Sequence, residues 1–176
     1  MNLGQIIFAC KQGRLSAQKA LYTEYKSKLF GICMRYTKDI SSAESMLKDS
    51  FLMICREIRA YKDSEPFNAW MDGMVIGHIV KRQKEFISDT QSNITKESAY
   101  FELVVDHLDK ISKKTILHLI QDLPKANRLV FNLYGLDGLN HQEISEVLSI
   151  SVQSSKTYYQ TALEILYTKL QDVHGE

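Results

Sequence analysis

The side chains able to do covalent or metal chemistry in this chain are scattered. Its histidines, His78, His107, His118, His141 and His174, stand far apart, and none falls in the His-Glu-x-x-His spacing that puts two imidazoles on one helix face. The cysteines, Cys10, Cys33 and Cys55, are odd in number and widely spaced, so they offer neither a metal clamp nor a disulfide framework. They read as buried thiols of a reducing compartment. No paired-carboxylate spacing and no glycine-rich phosphate loop occurs. Catalytic residues, metal ligands and cofactors are therefore not expected, and each histidine reads as a surface or half-buried polar residue. The chemistry left over is polar recognition. Residues 141–163 read as two helices about the short turn Ser149-Ile150-Ser151, with Ile150 placed to plug the angle between them. That is the form of a helix-turn-helix. An ordinary helical hairpin has the same form, so form alone leaves both readings open. The glycine often found in such a turn is Ser149 here, and a left-handed non-glycine costs roughly 1–2 kcal/mol.

The elements that must carry this module are helical throughout. The chain has 176 residues, 44% of them apolar, and only two prolines and eight glycines interrupt it. Residues 15–38 carry Leu15, Leu21, Tyr22, Tyr25, Leu29, Ile32, Cys33 and Tyr36 along one stripe. Residues 39–42 break that helix, and Ser41-Ser42-Ala43-Glu44 has the Ser-x-x-Glu form of a capping box. The helix it opens has the apolar stripe Ala43, Met46, Leu47, Phe51, Ile54 and Ile58. Residues 61–67 form a loop, since Pro66 disfavours helix before it and suits a first turn. A third helix is predicted over 67–86, with Trp70 sharing the core stripe of Phe67 and Met74. Residues 88–98 are polar without apolar period and read as an interdomain linker. Helical periodicity returns over 100–108 and 115–123, Pro124 opens a further helix to about Tyr134, and residues 135–138 turn. Asn140-His141-Gln142-Glu143 is a second capping box, and Ser151 caps a last helix over 152–170. The expected fold is all-α, with domains at 1–87 and 113–176 and a linker at 88–112 that includes one helix.

Charge adds a limit. The formal net charge is +1, which marks no basic stripe and leaves any nucleic-acid contact to local residues. No apolar run reaches the roughly 18–20 residues of a membrane span, and Met1-Asn2-Leu3-Gly4 lacks the basic start of a secretory signal. A cytoplasmic protein without membrane insertion is expected.

The stretch Leu123-Pro124-Lys125-Ala126-Asn127-Arg128-Leu129-Val130-Phe131-Asn132-Leu133-Tyr134, followed by residues 137–144, Ser149-Ile150-Ser151 and Ser155-Lys156-Thr157, resembles the promoter-reading C-terminal domain of an extracytoplasmic-function sigma factor of the sigma-70 family. Upstream, Gln18-Lys19-Ala20-Leu21-Tyr22, Met34-Arg35-Tyr36, Ser42-Ala43-Glu44 to Phe51, and Pro66-Phe67-Asn68-Ala69-Trp70 resemble the N-terminal domain of the same family, in order and spacing. The resemblance implies a bacterial adaptor that binds core RNA polymerase and promoter DNA and starts transcription at a subset of promoters. It implies core-polymerase docking through Glu44, Lys48 and Asp49. It implies contact with the −10 side of the promoter by Tyr61, Lys62, Lys81, Arg82 and Lys84, where a base is extruded at a cost of a few kcal/mol. It implies −35 contact from Gln153, Ser154, Lys156, Thr157, Tyr158 and Gln160 on the recognition helix. An anti-sigma factor is a further partner that the resemblance allows.

Departures from the family pattern are concentrated on charge. Gly77 and Lys81 stand where the third helix commonly has an Asn-x-x-x-Asp pair, Asp72 and Gly73 where cations are frequent, and Ser42, Ser45 and Lys48 where the clamp helix carries acids and glutamine. Between Ser151 and Thr168 the only basic residue is Lys156. Phosphate contacts supply much of duplex affinity, so one cation predicts weak binding by this domain alone. Two rivals stay open at this point. One is a degenerate sigma-like protein that binds polymerase or a regulator without reading promoters, and the other is a polymerase-independent helix-turn-helix regulator, for which the upstream domain has no use.

Overall fold

The computed structural model describes residues 1–90, 100–108 and 111–174, with the side chains of 106–108 and 173–174 outside the description. Most of the expected linker, 91–98, and the side chains of His107 and His174 therefore lie outside the described residues. Every regular element among the described residues is helical, and the chain divides into two compact units, Met1–Lys81 and Arg82–Glu176.

The first unit holds α1 (Leu3–Lys11), α2 (Leu15–Tyr36), α3 (Ile40–Glu57), a 3-10 turn (Ile58–Ala60) and most of α4 (Phe67–Gln83). The helix α1 was not anticipated. Its cap is Asn2, whose Oδ1 accepts from Gln5 N at 2.9 Å while Asn2 N donates to Gln5 Oε1 at 3.0 Å, a capping box written in Asn and Gln. In α2 the stripe is buried from Leu21 to Tyr36 except at Tyr22, which is 37% exposed, and Leu15, at the first helical position, is 80% exposed.

The start of α3 corrects the sequence reading. The cap is Asp39, not Ser41: its carboxylate accepts from Ser42 N at 2.7 Å and from Ser42 Oγ at 2.9 Å. The Asp39 carboxylate at the positive end opens the helix at Ile40, which puts Ser41 inside the first turn rather than at the cap, and these bonds hold the Asp39 carboxyl below its ordinary pKa. Ala43, Ile54 and Ile58 are fully buried, each isoleucine contributing about 1.5–3 kcal/mol. Phe67 sits at the centre of an aromatic cluster, 5.9 Å from Tyr25, 5.0 Å from Tyr61 and 5.6 Å from a stacked Trp70. Trp70 is half-buried there, and the third helix gives way to a 3-10 turn (Lys84–Phe86).

The second unit holds α5 (Tyr100–Leu108), α6 (Lys113–Gln121), α7 (Lys125–Phe131), a π-helical turn (Asn132–Leu136), α8 (His141–Leu148) and α9 (Val152–His174). Ser112 starts α6 two residues ahead of expectation by accepting from Thr115 N at 3.1 Å. Pro124 stands just before α7 rather than within it, with φ −52° and ψ 148°, and accepts from Arg128 N at 2.8 Å. Arg128 is only 4% exposed. Its Nη1 donates to the carbonyls of Gln121 at 2.6 Å and Leu123 at 3.3 Å, so a buried cation closes the carbonyl end of α6. Asn127 Nδ2 donates to Tyr158 O at 3.0 Å and ties α7 to α9. On α9, Ala162, Leu163, Leu166 and Leu170 are buried, and the helix runs about a turn beyond the predicted Leu170.

Candidate nucleic-acid interface

The turn between α8 and α9 fixes the direction in which the last helix faces solvent. At its entry, Asn140 Oδ1 accepts from Glu143 N at 3.0 Å and Glu143 Oε2 accepts from Asn140 N at 2.8 Å, the predicted capping box. At its exit, Ser149 has φ 58° and ψ 46°, the single positive φ of a non-glycine among the described residues. That left-handed step lets Ile150 N donate back to Ser145 O at 3.1 Å and drops the Ile150 side chain into the angle between the helices, 7% exposed. Ser151 then opens α9, its Oγ accepting from Ser154 N at 3.1 Å. A strained residue, a buried plug and a serine cap thus set two helices at a fixed angle.

What α9 presents is narrower than expected. Gln153 and Lys156 are exposed, one turn apart at the start of the helix. Ser154 and Thr157, expected at DNA, are 0% and 4% exposed and face the interior. Tyr158 is half-buried, with its hydroxyl donating to Ser88 O at 2.7 Å. Gln160 is half-buried beside a cleft of about 460 Å³ lined also by Tyr134, His141, Lys156 and Tyr159. His141 stacks on Tyr134 with ring centres 4.2 Å apart and places Nδ1 2.9 Å from Ser155 Oγ. Burial, and then the nearby Lys156 charge, push its pKa below the ordinary value of 6.5.

Residues that the sequence pattern missed lie against this helix. Asp89 Oδ1 accepts from Ser151 N at 2.6 Å and from Ser154 Oγ at 2.7 Å, and Thr90 N donates to Ser154 Oγ at 3.0 Å. The available signal was compositional: Ser88-Asp89-Thr90 is the residue chemistry that caps helices. Nothing local says which helix, since Ser151 lies 62 positions away.

On the first unit, Lys62 is exposed in the loop before α4, and Lys81 is exposed near the end of that helix. Arg82 and Lys84 follow on the exposed surface of the chain. Tyr61 differs from its companions. It is 6% exposed, its hydroxyl donates to Glu65 O at 2.8 Å, and its carbonyl accepts from Lys11 Nζ at 2.8 Å, so it shapes the loop from within. On α3, Glu44 and Lys48 are exposed one turn apart, while Asp49 is half-buried. Ile40 and Leu52, 60% and 49% exposed, extend the same i, i+4 row at both ends and were not anticipated.

No group of three or more His, Cys, Asp or Glu side chains able to hold a metal occurs among the described residues. Burial raises the thiol pKa of Cys10 and Cys55 and pushes that of Cys33 up to about 11. Such thiols are poor nucleophiles. No described helix is long and apolar enough to cross a membrane.

The family model described as Sigma-70, region 4 matches residues 113–166, which span α6 through most of α9. The chain is 25% identical over 185 residues to the ECF RNA polymerase sigma factor SigW of Bacillus subtilis, covering 98% of this chain and 99% of that one. It is 23% identical to the RNA polymerase sigma-H factor of Pseudomonas aeruginosa, covering 98% and 95%. A solved structure, described as CnrH in complex with the cytosolic domain of CnrY, covers 95% of this chain and 96% of its own at 16% identity, with a TM-score of 0.49.

Proposed function

The chain belongs to the extracytoplasmic-function sigma factors of the sigma-70 family, and from that premise we propose that it directs core RNA polymerase to a subset of promoters and starts transcription there. The observation that carries this reading is the helix-turn-helix of α8 and α9, whose left-handed Ser149 and buried Ile150 hold Gln153 and Lys156 outward within the matched region. Sigma factors act in initiation without catalysing a reaction, and no enzymatic role is assigned to this chain. A cytoplasmic location accords with that work.

The labour divides between a first domain at 1–87 and a second at 113–176, with 88–112 between them. Core polymerase docks on the α3 row of Glu44 and Lys48, flanked by Asp49, Ile40 and Leu52. The −10 side is met by Lys62, Lys81, Arg82 and Lys84, whose charges are exposed. The −35 side is met by Gln153, Lys156, Tyr158 and Gln160, with Ser154 and Thr157 acting from the interior as packing residues. Gln and Tyr supply hydrogen bonds to base edges or phosphates, and Lys156 supplies one phosphate contact. An anti-sigma factor is a further partner class this reading accommodates. The test is co-elution of the purified chain with core polymerase at moderate salt. A complex that survives gel filtration supports the reading, and separate elution of the two components overturns it.

A further inference from the structure

We propose that residues 88–90 form an intramolecular strap over the first turn of α9 that has to be released before this helix engages DNA; the proposal rests on the reading of α9 as the promoter-facing helix. The first turn of a recognition helix is the end whose residues meet bases and backbone in the major groove. Its free N–H groups and positive dipole end favour an anion. In this chain that anion is already supplied. The Asp89 carboxylate takes the Ser151 N–H at 2.6 Å and the Ser154 hydroxyl at 2.7 Å, Thr90 N donates to Ser154 Oγ at 3.0 Å, and the Tyr158 hydroxyl donates to the Ser88 carbonyl at 2.7 Å.

The helix does not need this contact as a cap. Ser151 caps it locally, through its own Oγ and Ser154 N at 3.1 Å. A second cap brought from 62 positions away adds a carboxylate on the turn just before Lys156, the one basic residue between Ser151 and Thr168. A phosphate approaching this end of the helix meets the carboxylate already on the Ser151 N–H and is repelled by it. The strap also holds Tyr158, which the DNA-facing reading needs free at its hydroxyl. The hydrogen bonds that make the strap hold the Asp89 carboxyl below its ordinary pKa, so the contact is intact at neutral pH.

The experiment uses the full chain and a short, fluorescently labelled, mixed-sequence DNA duplex, with binding read by anisotropy across a salt series. Asp89→Ala is expected to tighten binding several-fold and to steepen the salt dependence by about one phosphate contact. Lys156→Gln is expected to weaken binding in both backgrounds. If Lys156→Gln weakens binding while Asp89→Ala leaves it unchanged or weaker, the strap is refuted and the reading of α9 survives. If Lys156→Gln has no effect, α9 is not the DNA face, and both fall. Thr90→Pro, which deletes the N–H donated to Ser154, guards against an Asp89 variant with lost helix content. It is expected to shift affinity in the same direction, and unchanged affinity in a folded Thr90→Pro refutes the strap.

Discussion

Ser149 sits in a conformation that a side chain resists, and the fold tolerates it because the turn demands it. At φ 58° and ψ 46° an L-residue is strained by roughly 1–2 kcal/mol, a cost glycine escapes while losing more chain entropy. Ser149→Gly is therefore expected to stabilise the second unit by about 0.5–1 kcal/mol, seen as a higher thermal midpoint; an unchanged or lower midpoint contradicts the assigned turn. His141 makes a pH prediction. Its folded pKa is lowered by burial and by Lys156, so the unfolded chain takes up protons first on acidification. Its contribution is complete above the ordinary 6.5 and is lost as pH falls through the lower folded value. Melting midpoints measured at pH 5.5 and 7.5 are expected to differ in favour of the higher pH, with a smaller difference in His141→Gln. The left-handed turn was legible because its length and plug left one position for it. The cap of α3 was not, because Asp39 and Ser41 are both favourable cap residues and only Ser41 has a glutamate three positions on to suggest a box. Inward-facing Ser154 and Thr157 were also hidden: small polar residues on a helix show no preference between core and water until neighbours are placed.

The α8–α9 pair depends on a few side chains that act as joinery. Ile150 is 7% exposed between two helices, and Ile150→Ala leaves a cavity expected to cost about 2–5 kcal/mol in denaturant unfolding. Asn140→Ala removes one half of the capping box and is expected to cost about 1 kcal/mol by the same measurement. If both variants unfold with the parent, the turn is not the stabilising joint described. Elements with strong period were readable from sequence, including α2, α4 and α9, whose starts fall where expected while their ends differ by two residues, three residues and about a turn. Arg128 shows why some joinery escapes notice. Nothing in its sequence neighbourhood marks it for burial, yet it lies buried against the carbonyl end of α6, a role set by how α6 and α7 meet. The helix α1 escaped for a different reason, since its short apolar pattern and Asn-Gln box are weak signals until Ile7, Ala9 and Cys10 are seen buried.

At the scale of the whole chain, a net charge of +1 and one basic residue between Ser151 and Thr168 lead the proposed reading to expect promoter affinity in the assembly with polymerase rather than in the free protein. On the proposed reading, base and phosphate contacts by Gln153, Lys156 and Tyr158 add to binding energy already committed at the polymerase surface, as linked sites do. The family was legible because two blocks of residues agree in order. Docking surfaces are built of exposed residues whose identities the fold leaves open, and the exposure of Ile40 and Leu52 emerged only once α3 was seen from outside. Glu44→Arg together with Lys48→Glu is expected to weaken co-elution with core polymerase at least tenfold while leaving the melting midpoint unchanged. The most direct test of the central claim is genome-wide mapping of RNA polymerase after induced expression of the chain. New polymerase occupancy at a set of promoters that share a two-part −35 and −10 element, lost with the Glu44/Lys48 double variant, is the predicted result; unaltered polymerase distribution at full expression contradicts it.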